Sequence, residues 1–112
     1  MPNSEQLDLV FQALANPTRR AVYERLCRAP AAATELADPF DMALPSFMQH
    51  LGVLERAQLV RSEKNGRTRT YEARELPMLK LEGWLDEQRT AWERRLDQLD
   101  GYLEDTFARG ST

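Results

Sequence analysis

The sequence is poor in the features that define several whole classes of protein. It has one cysteine and one histidine in 112 residues. The lone Cys27 rules out an intramolecular disulfide and suits a reducing cytoplasm. With one histidine and one thiol the chain has no set of three or four soft-metal ligands. No apolar run approaches the roughly 20 residues that a membrane helix needs, which excludes a spanning segment. Met1–Asp8 lacks a basic patch leading into an apolar stretch, so no secretory leader is expected. There is no glycine-rich phosphate loop and no nucleophile motif, and His50 has no placed acidic partner, so the common enzyme classes are poor fits. Positive charge is also in deficit: 15 Lys and Arg against 18 Asp and Glu give a net −3, a mild argument against a nucleic-acid partner. What is present is ordinary for a globular chain, 42% hydrophobic and 29% charged, and the length predicts one domain over residues 1–112 with a core of its own.

The charge is unevenly spread, and this weakens the argument against nucleic acid. Residues 1–55 carry −3, residues 56–74 carry +4 and residues 75–112 carry −4. Arg56, Arg61, Lys64, Arg67, Arg69 and Arg74 thus form a basic island in an acidic chain. Screening at physiological salt cuts fields off beyond about 8 Å, so a local patch can bind phosphate on a molecule that is negative overall. A solvated surface loop has the same composition, so both readings stand at this point.

Apolar spacing orders the rest. Leu7, Val10, Phe11 and Leu14 mark one face of a helix. Asn16-Pro17 ends it and starts the next, with Asn16 as cap and Pro17 in the first turn. This second helix is expected over Thr18–Arg28, with Ala21, Val22, Leu26 and Cys27 turned inward, Cys27 as a core filler. A short helix over Ala33–Ala37 and a longer one from Pro45 to Ala57, with Phe47, Met48, Leu51 and Leu54 as its apolar residues, are joined by a tight turn at Asp38–Met42. Two helices joined in this way are the helix-turn-helix pattern.

Leu59–Glu63 and Thr68–Glu72 read as strands around a turn at Lys64–Arg67, where Asn65-Gly66 is a strong hairpin signal because both residues tolerate positive φ. A long helix over 76–108 follows, with an apolar stripe through Leu81, Leu85, Trp92, Leu96, Leu99, Leu103 and Phe107, and Trp84 beside it. Gln88 and Arg89 interrupt the stripe, and Gly110-Ser111-Thr112 reads as a frayed tail. The stripe is longer than one small domain can cover, which points to a second copy of the chain. The fold class is therefore mainly α with a two-stranded β-hairpin wing: a winged helix-turn-helix. A helix 10–12 Å across fits a DNA major groove, and a basic hairpin beside it can rest on phosphates or in the minor groove.

Four blocks carry a resemblance to a known family: Leu14-Ala15-Asn16-Pro17-Thr18-Arg19-Arg20, Glu35-Leu36-Ala37, Gln49-His50-Leu51-Gly52-Val53-Leu54-Glu55-Arg56-Ala57-Gln58-Leu59-Val60, and Asn65-Gly66-Arg67-Thr68-Arg69-Thr70-Tyr71. Over residues 7–75 the chain resembles the ArsR family of bacterial winged-helix repressors, in its branch without evident metal ligands. The resemblance implies a homodimeric, sequence-specific DNA-binding regulator, most simply a repressor, on an imperfect palindrome of double-stranded DNA. It implies DNA contacts at Leu44, Pro45, Ser46, Gln49 and His50 in the recognition helix and at Lys64, Asn65, Arg67 and Arg69 in the wing. It implies dimerisation through the first and last helices, by Leu7, Val10, Phe11, Leu81, Trp84, Leu85, Trp92, Leu96 and Leu99. No cofactor is expected, and any inducer is not a thiolate-bound metal, since Ala33–Ala37 has no cysteine and the last helix has no histidine.

The chain departs from the family pattern at Ala43-Leu44-Pro45, where polar residues are usual, and at Met48, where serine is frequent. Leu44 can touch a thymine methyl, or signal weak sequence reading, or face a protein partner. In the last case Leu44 and Phe47 form a hydrophobic contact and the chain is a protein-interaction module on a winged-helix frame. A DNA contact and a structural role are equally open for His50.

Overall fold

The computed structural model describes the backbone of residues 2–110 and the side chains of residues 5–107; of the expected tail, Gly110 instead belongs to the last helix, and Ser111 and Thr112 lie outside the described residues. The chain divides into two compact units, Met1–Leu81 and Glu82–Thr112. The first holds helices α1 (Pro2–Leu14) and α2 (Pro17–Leu26), strand β1 (Ala31–Ala32), helices α3 (Ala33–Ala37) and α4 (Leu44–Arg56), and strands β2 (Val60–Asn65) and β3 (Thr68–Ala73). Helix α5 (Leu76–Gly110) begins in the first unit and makes up all the described residues of the second.

The α1–α2 joint shows what the Asn-Pro-Thr-Arg-Arg run does. Asn16 Oδ1 accepts from Arg19 N at 3.1 Å and caps α2, with Pro17 at its first position. The last carbonyls of a helix have no partner within it. Arg19 donates to two of them in α1, Ala13 O at 2.8 Å and Gln12 O at 2.9 Å, and Arg20 to a third, Leu14 O at 2.7 Å. Two side chains from the start of one helix thus cap the end of the one before it.

Helix α2 is shorter than its sequence predicts. It stops at Leu26, so Cys27 becomes its C-cap and is exposed rather than a core filler. Ala21 is exposed as well, because the buried stripe runs through Val22, Tyr23 and Leu26. Tyr23 donates its hydroxyl to Arg74 O at 3.3 Å, and burial, reinforced by Cys27, pushes its phenol up to about 12.

The sheet has three strands, not two, in the order β1-β3-β2. Ala31 pairs with Tyr71 and Ala32 with Thr70. A two-residue strand of alanines has no periodicity of its own and exists only through its partner strand. The hairpin turn also differs from expectation. The last pair is Asn65 with Thr68, so Gly66 and Arg67 form a two-residue turn. Gly66 has φ +65 while neither Asn65 nor Arg67 is positive, the pattern of a type II′ turn with glycine first rather than an Asn-Gly type I′ turn.

The core of the first unit joins Val10 and Ala13 of α1, the α2 stripe, Leu36, Phe47, Leu51 and Leu54 with Leu59, Val60 and Tyr71. Burial of each large apolar side chain here contributes about 1.5–3 kcal/mol. Helix α4 ends in a Schellman motif: Leu59 N bonds Leu54 O at 3.0 Å and Gln58 N bonds Glu55 O at 2.9 Å, with Gln58 at φ 61. This turn swings the chain straight from α4 into β2. In the second unit every described residue, 82–107, is exposed. Among the described residues no helix is long and apolar enough to cross a membrane.

Candidate nucleic-acid interface

Helix α4 has two faces of different chemistry. Phe47, Leu51 and Leu54 are fully buried, and Phe47 packs against Phe40 from the preceding turn with ring centroids 5.5 Å apart. The opposite face presents Leu44, Pro45, Ser46, Met48, Gln49 and Arg56 to solvent. Pro45, Met48, Gln49, Gly52, Val53 and Arg56 line one shallow groove along it. The spacing of three and four puts these side chains on a single stripe. Met48, Gly52 and Arg56 are not among the DNA contacts that the resemblance implies, although Arg56 belongs to the basic island. The signal was available, since the exposed set is the 3.6-residue complement of Phe47, Leu51 and Leu54. Ala43 precedes the helix and makes no side-chain cap bond. Phe47 has no exposed surface, so the hydrophobic contact expected of Leu44 with Phe47 in a protein-interaction module is not available to a partner.

His50 is held from inside the molecule. Its Nδ1 lies 3.1 Å from Arg19 Nη1. A guanidinium can only donate, so Nδ1 accepts and the ring proton of the neutral imidazole sits on Nε2. Arg19 therefore ties three elements together: it is part of α2, caps α1 and holds α4 through His50. The structure gives His50 a structural bond in place of an open surface position.

The hairpin wing concentrates charge at its tip. Residues 60, 62 and 64 of β2 and 69, 71 and 73 of β3 share one face, paired Val60 with Ala73, Ser62 with Tyr71 and Lys64 with Arg69. At the base of this face Val60 and Tyr71 are buried, and burial followed by the Glu55 charge raises the Tyr71 phenol. At the tip Lys64 and Arg69 stand directly opposite each other, a like-charge pair that costs stability in a sheet. Arg67 occupies the adjacent turn. Arg69 donates to Ser62 Oγ at 2.8 Å, and Ser62 donates in turn to Glu55 at the end of α4. Arg61 on the other face is paired with its cross-strand neighbour Glu72. Lys64 and Arg67 make no hydrogen bond or ion pair among the described residues, so they are the unsatisfied cations of the wing. Asn65 is the exposed end of β2.

Comparison with known proteins gives this geometry its family. The Helix-turn-helix domain family matches residues 14–63. A crystal structure of an ArsR family transcriptional regulator is similar to this chain at a TM-score of 0.78 and 54% identity, over 80% of this chain and 93% of that one. The chain belongs to the ArsR family of transcriptional regulators. Two further relatives match this ArsR-family chain over shorter stretches. The HTH-type transcriptional regulator Rv2034 of Mycobacterium tuberculosis is 45% identical over 65 residues, 58% of this chain and 61% of that protein. The transcriptional repressor SdpR of Bacillus subtilis is 32% identical over 57 residues, 51% of this chain and 63% of that protein. The matched stretch thus spans less than two thirds of each of these two curated relatives. ArsR-family proteins are regulators rather than enzymes.

The residues expected at an ArsR-type dimer interface fall into two groups. Val10 is buried in the core of its own unit and has no surface to offer, which corrects that assignment. Leu7 is half-buried, Phe11 is exposed, and Leu81 is half-buried against the core. Leu85, Trp92, Leu96 and Leu99 are each at least half exposed and Trp84 somewhat less. The Arg95 guanidinium lies 5.5 Å from the centre of the Trp92 ring. Among the described residues no group of three or more His, Cys, Asp and Glu side chains is placed to hold a metal.

Proposed function

We propose that this chain is a homodimeric repressor, acting in the cytoplasm, that binds an imperfect palindrome of double-stranded DNA. Helix α4 enters the major groove with Leu44, Pro45, Ser46 and Gln49 leading. Lys64, Asn65, Arg67 and Arg69 of the wing lie on the flanking backbone or minor groove. The observation that carries this reading is the wing tip, where Lys64 faces Arg69 across the hairpin beside Arg67. Like charges so placed lose stability in the free protein and recover it on a polyanion. His50 serves as a positioning residue, held by Arg19, rather than as a contact. The SdpR similarity supports repression as the outcome. The exposed stripe Leu85, Trp92, Leu96, Leu99 and Leu103 supports a second copy as its cover, with Arg89 as a polar position within it. A two-fold dimer sets its recognition helices about 34 Å apart, on successive major grooves.

The test is binding of the purified protein to DNA upstream of its own gene across a salt series. The expected result is a preference over random DNA. Arg67→Ala weakens binding to every sequence and lowers the slope of log affinity against log salt by about 1. Gln49→Ala reduces the preference instead. No preference over random DNA, with Arg67→Ala indistinguishable from the parent, overturns the reading.

A further inference from the structure

We infer that the recognition face reads thymine methyl groups: Leu44 and Met48 pack on methyls of an A·T-rich half-site core while Gln49 pairs with an adenine. The inference rests on the DNA-binding reading above and gives it a base composition. It begins with two misplaced apolar side chains. Leu44 is 50% and Met48 36% exposed, although Phe47, Leu51 and Leu54 of α4 are buried and Val53 is half-buried. Four residues apart on one helix, they form an apolar strip along the edge of the exposed face, where Met48 borders the groove that Pro45 and Gln49 also line. Pro45 extends it, and Gly52, one turn further on, carries no side chain to hold the backbone away from a surface. An added Cβ at Gly52 would meet only Arg56 Nη1, at 3.5 Å.

The groups missing from this strip narrow its target. From Leu44 to Val53 the exposed and half-exposed positions carry no Arg, Lys, Asp or Glu. Guanine is read best by a bidentate Arg or Lys and cytosine by a carboxylate, and neither partner is present in those turns. With His50 tied back to Arg19, the chemistry that remains is Gln49 for the N6–N7 edge of adenine, Ser46 for any base, and apolar surface for the thymine methyl. Arg56, the first cation of the stripe, lies at the end of the helix that leads into the basic wing, where phosphate is its natural partner. The occupant that fits both the neutral strip and the +4 segment continuous with it is a major groove lined by thymine methyls.

The experiment selects binding duplexes from a random library with the full-length protein, then replaces thymines of the selected core by deoxyuridine, which lacks only the methyl. The expected result is an A·T-rich core and a loss of about fourfold in affinity per methyl removed. Met48→Gln keeps chain length and helix propensity and removes the apolar contact, so it erases the thymine–uracil difference at the steps it reads. Leu44→Ser asks the same question at the first turn, and thermal melts confirm that each variant folds. A selected core rich in G·C, or equal affinity for thymine and uracil duplexes, overturns this inference and leaves sequence-specific binding standing. So does a full thymine–uracil difference in both variants. Failure to enrich any sequence overturns both.

Discussion

Residues 5–81 and residues 82–107 use the same helical spacing of apolar side chains and do opposite things with it. In the first unit Val10, Ala13, Val22, Leu26, Phe47, Leu51 and Leu54 recur at steps of three, four or seven within their helices and are buried. In the second, Leu85, Trp92, Leu96, Leu99, Leu103 and Phe107 recur at the same steps and are all exposed, Phe107 to 74%. The period shows that a face exists, not what covers it. A helix buries its stripe only against a second layer, and among its described residues the second unit has no other element to supply one. Most helical stability comes from packing an apolar face, so such a seam is a surface built to be covered. In the proposed dimer the cover is the same seam of a second copy.

Breaking a residue on each side gives the largest contrast. Phe47→Ala should lower unfolding stability by about 3–5 kcal/mol in urea titration, and by the same amount at every protein concentration. Leu99→Asp should leave the first unit's stability nearly unchanged and instead shift the sedimentation profile towards monomer, with a midpoint that depends on chain concentration. A concentration-independent loss in Leu99→Asp would remove the distinction between the two seams. A smaller effect sharpens the burial of the first unit. The folded Tyr23 phenol, pushed up to about 12 from its usual 10, contributes stability that is fully present below pH 10 and is lost as pH rises through 12. A rise of this size corresponds to roughly 2–3 kcal/mol, so Tyr23→Phe should flatten the alkaline limb of the stability curve by that order. The smallest effects lie at the two ends of α4. Ala43→Ser supplies the missing cap and Gln58→Gly relieves a positive φ, and each should raise stability by about 1 kcal/mol. No gain from either would mean that the neighbouring turns already compensate.

Much of this was legible in order and spacing. The α3 bounds, the start of α2 at Asn16-Pro17, the α4 helix and the hairpin all follow from capping residues, breakers and period, which are local properties. The family resemblance, carried by runs such as His50-Leu51-Gly52-Val53-Leu54-Glu55-Arg56-Ala57-Gln58-Leu59-Val60, is shown by the comparisons. What could not be read was whatever depends on a partner distant in sequence. Strand β1 exists only because Tyr71 and Thr70 lie alongside Ala31 and Ala32. His50 has no visible partner in the sequence, because Arg19, which holds it, lies 31 residues away. Cys27 was misplaced because the helix stops at Leu26, two residues short of Arg28, and a single residue past the end turns a side chain from core to solvent. Met48 reads as apolar and therefore inward, but its position on the 3.6-residue wheel puts it outside.

The sequence by itself determined the succession of helices and hairpin, because these follow from hydrophobic period, proline and glycine. It also determined the clustering of six cations within residues 56–74. Tertiary structure alone decided which of those cations are free. Arg61 is paired with Glu72 and Arg69 is drawn back to Ser62, which leaves Lys64 and Arg67 as the wing's unpaired cations among the described residues. The reason is register. A one-residue slip of the hairpin would turn every side chain to the other face, and only the pairing of Asn65 with Thr68 sets Lys64 against Arg69.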